Sequence, residues 1–176
     1  MSPFTVGTLF LTRDRSQVEA ALGETGLPHV MRELNPRWSV FLTQDEWHFL
    51  PETQAAARHV SEVAPLLHFS QADDHGWSFR LLHGGRERAA YAEQYPWDPH
   101  HDRLIGEDEP LSAPAAPSAT DLVYFRLLDL APEEVDQLSQ VLTMPIDCRA
   151  EAFKQLLGIG DMESVSYRVD QHQTGV

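Results

Sequence analysis

The chain has 176 residues, 42% of them apolar, with four Trp, eight Phe and four Tyr. That length and bulk fit one domain with its own core, needing neither disulfide nor structural metal. Its 27 acidic and 13 basic residues leave a net charge of −14, spread over residues 1–95 (−4), 96–120 (−4) and 121–176 (−6), which argues against nucleic acid as a ligand because such binding needs many Lys and Arg contacts to phosphate.

In chain order, Thr5–Thr12 reads as a strand and is followed by a helical pattern. Ser16 and Glu19 match a capping box, Val18, Ala21 and Leu22 form the inward stripe, and Gly23 and Gly26 stop the helix. The segment Phe10-Leu-Thr-Arg-Asp14 recurs 31 residues later as Phe41-Leu-Thr-Gln-Asp45, closing a second strand over Arg37–Thr43. A second helix begins near Pro51, places Ala56, Val60, Val63 and Ala64 on one face, and ends at Pro65. Two successive strand–helix units imply neighbouring parallel strands joined by a crossover helix.

From Leu67 the hydrophobic period changes to two. Leu67 and Phe69 alternate with His68 and Ser70, and Trp77, Phe79 and Leu81 alternate with Ser78 and Arg80. With turns at Asp73–Gly76 and Gly84–Gly85, and a return over Arg86–Tyr95, this is a three-stranded antiparallel meander. Residues 96–120 hold five prolines and the run Ser112-Ala-Pro-Ala-Ala-Pro-Ser-Ala119, the composition of a loop or linker. Beyond it, Leu122–Leu130 is an apolar strand or helix. Val135, Leu138, Val141 and Leu142 mark one amphipathic helix, and Ala150, Phe153, Leu156 and Leu157 a second that ends at Gly158. Val165, Tyr167 and Val169 alternate as a last strand. The expectation is one α+β domain over residues 1–176: a mixed sheet over 1–95, a linker over 96–120, and a helical part over 121–176 too short for its own core and docked on that sheet.

No nucleotide loop, zinc-finger spacing, nucleophile elbow or nucleic-acid signature occurs in the chain. The densest set of ligand-type side chains is Trp97-Asp98-Pro99-His100-His101-Asp102. Its imidazoles and carboxylates suit a transition metal, but adjacent histidines diverge in an extended chain. It reads first as a polar loop, with Trp97 as an apolar anchor for a partner. Asp14 and Asp45, each following a strand, form a second candidate at the sheet edge where α/β proteins bind ligands. Arg80, Arg86 and Arg88 form a small basic patch on the meander, and Trp38 and Trp77 belong to the core while Trp47 and Trp97 lie in loops.

The single cysteine, Cys148, excludes an internal disulfide and a Cys-based zinc site, and reads as a small, partly buried apolar residue. Met1–Gly7 has no signal-type character, and no stretch approaches the roughly 18 apolar residues of a membrane helix. The expectation is a cytoplasmic, non-enzymatic protein-binding or regulatory module without cofactor, whose partner is a basic or neutral protein or a second copy of itself. The alternatives are a small metal-dependent hydrolase using Asp98, His100 and His101 or the Asp14/Asp45 pair, and an acidic mimic of nucleic acid.

Overall fold

The computed structural model describes residues 4–44, 51–72, 76–94, 97–98, 103–104 and 116–164. Strand β1 (Phe4–Leu11) leads through a 3-10 turn into helix α1 (Arg15–Thr25), then into the hairpin of β2 (His29–Glu33) and β3 (Trp38–Thr43). Helix α2 (Pro51–Val60) precedes the meander of β4 (Leu66–Ala72), β5 (Gly76–His83) and β6 (Arg86–Gln94). These six strands form one sheet in the order β2-β3-β1-β4-β5-β6, with every neighbouring pair antiparallel. The protein is therefore α+β, as its pattern implies.

The meander forms as read, and its second turn follows from glycine chemistry. Gly84 and Gly85 have φ of 63° and 69°, a pair of left-handed residues that closes a tight hairpin matching the strand twist. The two echoed segments do lie on adjacent strands, but antiparallel: Leu11 faces Trp38 and Thr8 faces Phe41. The reason is β2, which sequence periodicity misses. Helix α1 crosses over from β1 to β2, which runs parallel to β1, and β3 then turns back between the two, antiparallel to both. Both echo phenylalanines nevertheless reach one layer, Phe10 and Phe41 packing at 6.4 Å under α1 and α2.

Two further local expectations are corrected. The Ser16/Glu19 capping box does not form, because the 3-10 turn Thr12–Asp14 runs directly into a helix that starts at Arg15, with Asp14 at its cap and no side-chain cap bond. Gly23 lies within α1, and the left-handed Gly26 ends it. Val63, expected inward, is 47% exposed beyond the end of α2.

The apolar run after residue 120 resolves as helix. α3 (Ala119–Leu122) carries a capping box of Ser118 and Asp121 and continues as a 3-10 segment over Val123–Leu128. α4 (Pro132–Val141) and α5 (Ile146–Leu157) follow, then a 3-10 turn over Gly160–Ser164. The strand expected at Val165–Val169 lies outside the described residues. Part of the expected linker is also ordered, as a two-stranded ribbon of β7 (Trp97–Asp98) and β8 (Arg103–Leu104).

The sheet is packed on both faces. Its first face, with Trp38, Val40, Phe69, Trp77 and Phe79, buries against α3, α4 and α5, where Phe153 stacks on Phe79 at 5.0 Å and on Phe69 at 5.8 Å. The C-terminal part is thus docked on the sheet. Polar contacts hold the same joint: Trp38 Nε1 donates to the Leu157 carbonyl at 2.7 Å, Asn35 Nδ2 to Gly158 at 3.0 Å and Arg37 Nη2 to Leu128 at 2.8 Å. The second face is covered by α1 and α2 through Val18, Leu22, Ala57 and Val60, over Phe10, Phe41, Leu66 and Leu82.

Candidate functional site

Antiparallel pairing separates the two strand ends on which the Asp14/Asp45 reading rests. β1 ends where β3 begins, so Asp14 and the chain leaving β3 stand at opposite ends of the sheet; Asp45 itself lies outside the described residues. Asp14 instead neighbours Arg13, whose guanidinium makes a two-pronged contact with Asp129, the one non-glycine residue with positive φ (60°) among those described. Partial burial holds the Asp14 carboxyl above its usual range, against the opposing pull of Arg13. The group fastens the turn after β1 to the 3-10 segment after α3.

Trp97 and Asp98 face Leu104 and Arg103 across the β7–β8 ribbon. His100 and His101 lie outside the described residues. Among the described residues no three His, Cys, Asp or Glu side chains gather as a metal site. Cys148 is exposed at the start of α5 and not partly buried as expected.

A buried polar network that sequence reasoning missed lies beneath β5 and β6. Glu93 is 3% exposed, and its Oε2 receives Trp77 Nε1 at 3.2 Å, the Tyr91 hydroxyl at 2.9 Å and Arg149 Nη1 at 3.4 Å. Arg149 also donates to the Tyr91 oxygen at 2.8 Å and to the Met144 carbonyl at 2.6 Å. Burial, then the bond to Glu93, pushes the Tyr91 phenol up to about 12. The signal available in the sequence was Glu93 in phase with Tyr91, a charge on the inward side of a strand. Glu93 Oε1 is buried without a donor. These groups clamp α5 onto the sheet; all are sealed from solvent, so the network supports the surface without itself being one.

That surface is the second face of the sheet where α1 and α2 stop. There the cross-strand rows Thr8–His68–Arg80–Ala90 and Val6–Ser70–Ser78–Ala92 replace the apolar rows beneath the helices. Ala90 and Ala92 are exposed, and Ser70, Ser78 and Arg80 are partly exposed. The small polar residues are tied to one another, Ser70 to Ser78 at 2.7 Å and Thr8 to His68 at 3.1 Å. The expected basic patch borders this face. Arg80 approaches Glu87 at 3.8 Å, Arg88 donates to the His83 carbonyl at 3.0 Å and stacks over Tyr124, and Arg86 is exposed. On the outer side of β6 no further strand pairs among the described residues. Thr8 and His68 are buried. The exposed part of this face is therefore Ala90 and Ala92 with their partly exposed neighbours, beside an edge that no described strand pairs. That edge could offer backbone donors and acceptors to a protein partner.

A separate open cleft of about 360 Å³ lies between the end of α1 and the start of α2, lined by Thr25, Gly26, Leu27, Pro28, Glu52, Ala55 and Ala56. Its lining carries one ionisable group, Glu52, and no nucleophile–base pair. Comparison with protein-family models, with curated proteins and with solved structures finds no match to this chain.

Proposed function

We propose that this protein is a non-enzymatic, cytoplasmic protein-binding module of the regulatory, adaptor or immunity kind, whose overall acidity draws a basic protein and whose β4–β6 face contributes a polar, Arg80-bordered contact surface. The observation that carries the reading is that face: Ala90 and Ala92 exposed beside Ser70, Ser78 and Arg80, next to a strand edge with no neighbour among the described residues. The net charge of −14 supports it from long range. An acidic surface accelerates encounter with a basic partner and makes the complex salt-sensitive.

The test is affinity capture from cell lysate at low and high salt, with an Ala92→Lys bait as control. The reading expects a discrete protein retained by wild type at low salt, released at high salt and lost from the control. Identical profiles for the two baits would sink it. Stoichiometric zinc, manganese or iron in purified protein, lost on replacing His100 and His101 by Ala, would establish the metal-dependent alternative in its place. A captured DNA-binding protein released by competing DNA would identify an acidic mimic.

A further inference from the structure

We draw no further inference here: the strongest candidate, the open cleft between the end of α1 and the start of α2 with Glu52 as the one ionisable group among its described lining residues, carries nothing because no feature of the structure shows what covers it.

Discussion

Arg149 of α5 donates to the hydroxyl of Tyr91 on β6 at 2.8 Å, and that hydroxyl donates onward to Glu93 at 2.9 Å. A residue in the C-terminal part thereby brings a cation to the Oε2 of a carboxylate buried in the sheet, 56 positions earlier in the chain.

Arg149→Met should destabilise far more than Glu93→Gln. Removing the cation leaves a nearly sealed carboxylate without its countercharge, a change that costs about 3–5 kcal/mol for buried pairs. The glutamine variant removes the buried anion and retains an acceptor for Trp77 and Tyr91, while Arg149, then without its countercharge, keeps the Tyr91 oxygen and the Met144 carbonyl as acceptors. Urea unfolding of both variants checks the order, and equal losses would contradict a charge-based clamp.

Tyr91 should ionise late. Its folded pKa of about 12 exceeds the ordinary value of 10.0. Because the neutral phenol is the favoured form in the fold, its contribution is complete below the unfolded value and is lost as pH rises through the folded one. Absorbance titration should show a late phenolate step that is missing in Tyr91→Phe.

Lys154, the only lysine of the chain, is 2% exposed and held by Glu151 at 2.6 Å and Glu163 at 2.5 Å. Burial pulls its pKa down, yet the bonds to Glu151 and Glu163 outweigh that and leave it raised, while the bond to Lys154 holds Glu151 low. The sign differs at the two ends. The lowered Glu151 stabilises above its unfolded pKa and loses this as pH falls through the folded value. The raised Lys154 stabilises below its unfolded pKa and loses this as pH rises through its folded one. Urea midpoints of Lys154→Met should therefore fall less steeply than wild type on acidification below the ordinary carboxylate range.

Gly7→Ala should destabilise by about 1–3 kcal/mol, the usual cost of overpacking a core. A Cβ there would meet Val40 Cγ2 at 2.7 Å and Met162 Cε at 3.2 Å, on the face of β1 where the last 3-10 turn lies. Val40→Ala should recover part of the loss in the double variant. Additive losses would show that the close contact is relieved elsewhere.

Much of the architecture was legible because its signals are local. The alternation of Trp77, Phe79 and Leu81 and the Gly84–Gly85 pair define a hairpin within a few residues, and Gly158 with φ 67° ends α5 where its composition says it should. The candidate residues were less legible. Asp14 was visible, but its neighbour proved to be Arg13, which Asp129 of a distant docked segment holds in place. The role of Glu93 emerges only once Arg149 and Trp77 are placed around it.

What the amino-acid sequence determined by itself is the acidity, the α+β class, the meander and the helices of the C-terminal part. Composition, hydrophobic period and turn chemistry act over at most a few residues and do not depend on the rest of the fold. Only the tertiary structure decided the strand directions, the pairing of Arg13 with Asp129, the buried clamp on Glu93 and which part of the sheet face stays exposed. Each depends on groups far apart in the chain meeting in space, where burial removes water and makes the identity of the opposing side chain the deciding energy.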